Sequence, residues 1–271
     1  MRKHFLSNGV KTGNGLRAWA LVGIVCLVVV SFGLPTLHYP FRRDHGEFAA
    51  TAQVILDGGV PYRDVWNPKP PAVLFLYAAI IKLAGANMMA IRGVDLLVTA
   101  LTAALLPWMG RQLWGALAGA VAGLGYGALY LAHRAGDLAQ NDGFMTAAIV
   151  ISVGCLWQAQ SQRRLGWLVL SGLASGLAVA FKYPVALWAL YLLVWLLIDR
   201  QDDVQRRLAA GSLYAAGGGI VWAALIGYLL AHGALWDFWE SIYSTFGYTR
   251  LWIGPGFWFI LLAGLGYFFV G

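Results

Sequence analysis

Long apolar runs alternate with short polar stretches along the chain: 18–37, then roughly 92–110, 114–133, 143–158, 165–181, 184–198, 208–231 and 255–271. Runs of this length and polarity predict helices that cross a bilayer. The stretch Leu165–Ile198 is too long for one crossing. At ~1.5 Å per residue it would reach about 50 Å against a hydrocarbon core of about 30 Å, so it is split at Lys182-Tyr183-Pro184. The resulting helices of about 16 residues must recruit interfacial residues or thin the bilayer. Gly119, Gly123 and Gly127 recur every fourth residue, as do Gly172 and Gly176. That spacing lets neighbouring helices approach closely. Gly123, Gly125 and Gly127 also form a Gly-x-Gly pattern, but they lie inside a span with no strand before them, which argues against a nucleotide loop.

One apolar segment, Pro71–Gly85, breaks the pattern. It is short, opens on Pro70-Pro71 and carries Lys82, so its length predicts an interfacial or re-entrant helix. Topology depends on this segment. If it does not cross, Arg163, Arg164, Arg200, Arg206 and Arg207 share the N-terminal side, and ten of the 19 Lys and Arg residues lie there. That margin is too small to orient the chain. In the same arrangement nine of the 12 carboxylates lie on or near the opposite face, and Asp199, Asp202 and Asp203 are the exceptions. Acids and bases gathered on one face suit a surface catalytic site. A transporter is expected to show ionisable residues and broken helices at mid-membrane, often in two related halves, and no internal repeat is visible.

Composition agrees: 60% of 271 residues are hydrophobic and 11% are charged. The net charge of +7 is scattered over short loops instead of forming a basic stripe, which favours membrane orientation over nucleic-acid binding. Arg2, Lys3, Lys11 and Arg17 precede the first run, which ends in Leu34-Pro35-Thr36-Leu37-His38 without a small-x-small site. It is read as an uncleaved first span with a cytoplasmic N-terminus. Cys26 and Cys155 lie in apolar segments without CxxC spacing, so neither a disulfide framework nor a zinc site is indicated.

Chemistry concentrates between Arg42 and Gly85. Polar groups held at a bilayer surface are costly unless paired or hydrated, which marks this stretch as a candidate site. Transfer of a group from a phosphate carrier needs a base for the acceptor proton and cations for the departing phosphate. Asp44 is the first choice for the base, with Glu47 as partner or metal-facing acid. Asp-x-x-Glu at a helix start is equally a capping-box pattern, with Asp44 as N-cap, and both readings stand at this point. Lys69, between two prolines, and Lys182, two residues before Pro184, are candidates for the phosphate; snorkelling to headgroups is the alternative. Asp142, at the start of a span, serves either as an N-cap or in the site. His38, His45 and His133 lack metal-ligand spacing, so interfacial hydrogen bonding is expected of them. The aromatic run from Trp236 to Trp252 reads as an interfacial belt.

Taken together, Asp44-His45-Gly46-Glu47-Phe48, Gly58-Gly59, Pro61-Tyr62-Arg63-Asp64, Asn67-Pro68-Lys69-Pro70-Pro71 and the apolar segment ending in Gly85 resemble the first extracytoplasmic loop of GT-C glycosyltransferases. They are similar to the bacterial branch related to protein O-mannosyltransferases and to lipid A aminoarabinose or galacturonic acid transferases (glycosyltransferase family 39-like). The likeness continues through Arg92, Asn141-Asp142 and Phe181-Lys182-Tyr183-Pro184. It implies a polyprenyl-phosphate-linked sugar donor and an acceptor outside the cytoplasm. It also implies a catalytic or metal-proximal role for Asp44, an acid at Asp142 approaching it, and a second juxtamembrane helix after Pro71. His45-Gly46 stands where many relatives carry a second acid, so the roles of Asp44 and Glu47 are not separated.

The expectation is therefore an all-α, polytopic transmembrane protein with about eight spans and juxtamembrane helices in a first loop at 38–91. The whole of 1–271 forms one GT-C-like domain, expected to continue beyond Gly271. The expected activity is glycosyl transfer at the outer face of a bacterial inner membrane. Site residues are Asp44 and Glu47 (catalytic) and Lys69, Lys182 and Asp142 (substrate and phosphate), with a divalent metal ion as an open option. The alternatives are a polyprenyl-pyrophosphate-linked glycan ligase or polymerase, and a lipid or polysaccharide transporter.

Overall fold

A computed structural model describes residues 15–198 and 203–250. The apolar segment 255–271 lies outside the described residues. Ten α-helices follow one another: α1 (Gly15–Gly33), α2 (Arg43–Leu56), α3 (Pro71–Ala84), α4 (Met88–Leu113), α5 (Ala116–Leu131), α6 (Asn141–Gln162), α7 (Gly166–Phe181), α8 (Val185–Ile198), α9 (Val204–Ala231) and α10 (Leu235–Arg250). A 3₁₀ turn, Leu34–His38, extends α1. The described residues contain no strand, only an isolated bridge between Pro61 and Val65.

Among the described residues, four stretches are long and apolar enough to cross a membrane: Gly15–His38, Met88–Arg111, Asn141–Gln162 and Val204–Ala231. The helices α3, α5, α7 and α8 are apolar but shorter. The expected break at Lys182-Tyr183-Pro184 is present: α7 ends at Phe181 and α8 begins at Val185. Proline at 184 removes a backbone donor, and its ring disfavours helical geometry at Tyr183.

Small residues hold the bundle together. A Cβ added to Gly119 would lie 2.3 Å from the Leu106 carbonyl oxygen, and one on Gly123 would lie 2.4 Å from that of Ala103, so α4 and α5 touch backbone to backbone. The same closeness joins α7 to α9, where a Cβ on Gly172 would meet the Tyr214 carbonyl oxygen at 2.0 Å. The expected glycine faces are thus both in use. Gly217 on α9 completes the second contact, since a Cβ there would meet the Val169 carbonyl oxygen at 2.2 Å. Among α6, α7 and α9, Ser152 bonds Ser171 (3.0 Å) and Ser175 (2.8 Å), and the Tyr214 hydroxyl donates to Ser175 (2.7 Å). Each buried hydroxyl is therefore satisfied without water.

The bundle has two unlike ends. At one, Arg206 of α9 donates to the Arg163 carbonyl (3.4 Å). At the other, a cluster forms from Phe48 of α2, Tyr62, Val73, Leu74 and Tyr77 of α3, Phe144 of α6, Phe181 of α7, Leu229 of α9 and Phe238 of α10. The inner face of α3 (Val73, Leu74, Tyr77) is fully covered by protein, while Leu83 is exposed. Its apolar character is accounted for by burial against α2 and the helix ends. At ~1.5 Å per residue its 14 residues measure about 21 Å, short of the hydrocarbon core.

Candidate active site

The first turn of α2 places the first acid. Pro40 and Phe41 lead in, and Arg42 is the N-cap residue in extended conformation. The role that a capping residue would play falls to His45, whose Nδ1 accepts from the Arg42 amide at 3.0 Å. Its Nε2 donates to the Leu138 carbonyl at 2.7 Å, which fixes the imidazole as the neutral Nε2–H tautomer. Asp44 is therefore not the cap. It lies one position inside the helix, where the positive end of the helix dipole favours its charge, and its carboxylate is free for a cation. Glu47 does not reach back to the helix start either; it pairs with Arg43 at 3.0 Å on the exposed face.

The cation on Asp44 is Lys69, Nζ to Oδ2 at 2.9 Å. The loop that delivers it is held at nearly every polar atom. The Lys69 amide donates to Asn67 Oδ1 (3.0 Å), and its carbonyl accepts from the Tyr62 hydroxyl (2.9 Å). Asn67 Nδ2 donates to Thr51 Oγ1 (3.0 Å), and the Asn67 carbonyl accepts from Ser241 of α10 (2.7 Å). Prolines at 68, 70 and 71 limit the backbone on both sides, and Pro71 starts α3, a position where a missing amide costs nothing. The Lys69 ammonium also lies 5.8 Å from the centre of the Phe48 ring, a weak cation–π contact. Upstream, Tyr62 adopts a left-handed φ of 75°. Asp64 accepts from the Val60 amide (2.7 Å) and pairs with Arg63 (2.9 Å). The Arg63 guanidinium and the Val60 amide hold the Asp64 carboxyl down at about 2.

A second acid–lysine pair stands at the same end of the bundle. Asp142, the second residue of α6, hydrogen-bonds Lys182 at the α7–α8 break. Here too the N-cap position belongs to another residue, Gln140. The α6 end is tied to the α2 start through His45 and Leu138, and the Arg42 side chain packs on Gly136, 3.1 Å from where a Cβ would stand. Phe144 and Phe181 stack beneath the second pair with ring centres 5.6 Å apart.

Burial lowers the His45 pKa; the Leu138 carbonyl opposes this and Arg92 adds to it. Burial, followed by the nearby Tyr183 hydroxyl, pushes the Tyr62 phenol up. Both groups thus stay neutral and act as fixed donors and acceptors around the charged pairs. The hydrogen bonding expected of His45 is present, whereas the supporting contacts of Tyr62, Asn67, Thr51 and Ser241 were not anticipated from the sequence. The readable signal was Arg92, a charge one turn inside an apolar helix, which is fully buried.

Among the described residues no three His, Cys, Asp or Glu side chains converge to hold a metal ion. Asp44 is met by Lys69 and Glu47 by Arg43, so in this arrangement the two carboxylates do not converge on a common point. A hollow of about 480 Å³ between α1 and α5, lined by Val28, Phe32, Leu124, Gly127 and Leu131, carries no ionisable side chain. It suits hydrocarbon, not sugar.

Apolar helices arranged in this way define a multi-pass membrane protein, with acid–lysine pairs gathered at one end of its bundle. The family profile of the dolichyl-phosphate-mannose-protein mannosyltransferases matches residues 68–226, more than half of the chain. The chain belongs to that family, and so to the membrane glycosyltransferases of GT-C type. Searches of curated proteins and of solved structures gave no match. Lys69, Asp142 and Lys182 fall within the matched residues; Asp44 and Glu47 precede them.

Proposed function

We propose that this protein moves a sugar from a polyprenyl-phosphate-linked donor to an acceptor (a lipid, a glycan or a protein) on the extracytoplasmic side of a bacterial inner membrane. In this reading the N-terminus is cytoplasmic, and α2 and α3 are juxtamembrane helices in a first outer loop. The observation that carries it is the Asp44–Lys69 pair, a carboxylate and an ammonium 2.9 Å apart on a hydrogen-bonded loop.

An ammonium beside a carboxylate can exchange that partner for a phosphate oxygen. When the donor enters, Lys69 turns to its phosphate, and Lys182 does likewise from Asp142. The acceptor hydroxyl then attacks the anomeric carbon while the bond from that carbon to the phosphate oxygen breaks. The bonding electrons leave with polyprenyl phosphate, stabilised by the two ammonium groups. The acceptor proton passes to Asp44, freed from Lys69. Asp142 takes the role of a second acid that orients the acceptor or Lys182.

Asp44→Asn tests this reading. Since Asp44 is not the cap, the change leaves the Arg42–His45 helix start intact. Loss of the base is expected to lower sugar transfer by about 10²-fold or more in expression-matched membranes. Near-normal transfer would remove Asp44 from the mechanism.

A further inference from the structure

We infer that Arg92 is a positioning residue for transfer, which acts by clamping together the two chain segments that deliver Asp44 and Asp142. The inference rests on the function proposed above.

Arg92 lies in the first turns of α4 and is 1% exposed, one of the largest fully buried side chains. Its guanidinium is not joined to the nearby buried Asp95 as its main contact but to backbone. Nη2 donates to the Pro40 carbonyl (3.1 Å) and the Ala135 carbonyl (2.8 Å), and Nη1 donates to the Leu138 carbonyl (3.0 Å). Pro40 stands four residues before Asp44, and Leu138 stands four residues before Asp142. One planar cation thus holds both approaches at a common spacing, which a fork of fixed geometry can do and a single ammonium cannot.

The segment it grips is held in a form that would not persist unaided. Ala139 sits at φ 56°, in the left-handed region that is disfavoured for a non-glycine residue. Its neighbours enforce this conformation. The Leu138 carbonyl accepts from both Arg92 and His45 Nε2 (2.7 Å), and the Ala139 carbonyl accepts from the Tyr77 hydroxyl (2.8 Å). The Ala139 amide faces Asp95, whose carboxylate accepts from the Tyr130 hydroxyl (2.6 Å). Side chains of α2, α3, α4 and α5 therefore converge on two consecutive residues, and the chain leaves them directly into the first turn of α6. An over-determined, strained turn just before a charged pair is suited to aiming that pair.

The test uses Arg92→Lys, which keeps the charge but not the fork, and Tyr77→Phe, which removes one hydroxyl from the clamp and leaves the ring in place. Hydrogen exchange reads the clamp without reference to activity. In both variants amides 135–140 should exchange faster while α7 and α9 keep wild-type protection; unchanged exchange at 135–140 in both variants would overturn the clamp. Sugar transfer then reads its purpose. Arg92→Lys should lower turnover per folded molecule at least tenfold and Tyr77→Phe two- to fivefold. Introduced into an Asp142→Asn or an Asp44→Asn background, Arg92→Lys should lose part of its fold-effect, because it acts through both acids. An undiminished effect in both backgrounds would show that Arg92 acts through neither acid and would overturn the positioning role. Absence of transfer by the wild-type protein would count against the proposed function alone, since the exchange measurement still decides the clamp.

Discussion

The two acid–lysine pairs have the same chemistry but are held very differently. Asp44 and Lys69 keep 37% and 31% of their side-chain surface exposed, against 58% and 44% for Asp142 and Lys182. Lys69 is fixed through its own amide and carbonyl and lies near the Phe48 ring. Lys182 follows the last turn of α7 and has its amide bonded to Ala178 (3.0 Å), with a long, open side chain. A pre-set ammonium loses little entropy when it binds a phosphate, whereas a free one must be ordered by the ligand. In the proposed reaction both lysines meet the donor phosphate, the first pair being suited to the charge that develops at the reacting bond and the second to capture of the donor.

Exchanging lysines is the most direct way to break this contrast. Lys69→Gln is expected to reduce transfer by about 10²-fold, the scale for loss of one preorganised charge at a developing anion. Its effect on stability should be small, since half-exposed pairs contribute about 1 kcal/mol or less. Steady-state transfer and a melting curve measured on the same preparation check both halves. Lys182→Gln should cost about tenfold, mostly in donor KM, because an adaptable group adds binding more than transition-state contact. Equal losses in turnover for the two lysines would erase the distinction between them.

Acidification sharpens the contrast from the side of His45. Its folded pKa lies below its ordinary 6.5 because burial disfavours the imidazolium. The unfolded chain then binds the proton more readily, so the stabilisation from His45 is complete above about 6.5 and declines as pH falls toward the lowered folded value. Melting temperatures measured between pH 7.5 and 5.5 should therefore fall, and His45→Gln should flatten the profile. The smallest effect is expected for Glu47→Gln, within about twofold in transfer, because its exposed i,i+4 pair with Arg43 contributes only a few tenths of a kcal/mol. A tenfold loss would place Glu47 in the catalytic machinery.

Much of the helical framework could be read from the sequence because it is periodic. The apolar runs anticipated the helices, the break at Lys182-Tyr183-Pro184 followed from length and proline, and the recurring glycines marked the close contacts of α5 and α7. Lys69 was legible because a cation flanked by prolines is unusual. The helix start at Arg42 was not. Two residues of register separate Asp44 as a cap from Asp44 as a carboxylate inside the helix, and the His45 ring geometry decides between them. The Arg92 contacts were invisible for another reason: all three partners are backbone carbonyls, which carry no residue identity and come from segments about 95 positions apart (Pro40 and Ala135).

The glycine face of α7 has a consequence for assembly in time. Ser175 meets Tyr214, a partner 39 positions later in the chain, and Gly172 meets the backbone of the same residue. At synthesis rates of about 5–20 residues per second, Ser175 waits roughly 2–8 s before Tyr214 has been made. During that interval Ser171 and Ser175 can already bond Ser152 of α6, but the glycine groove is open to any small-faced helix nearby. A ribosome paused between Pro184 and Asp203 would prolong this vacancy, and crosslinking at Gly172 in such stalled chains would reveal which neighbour enters it.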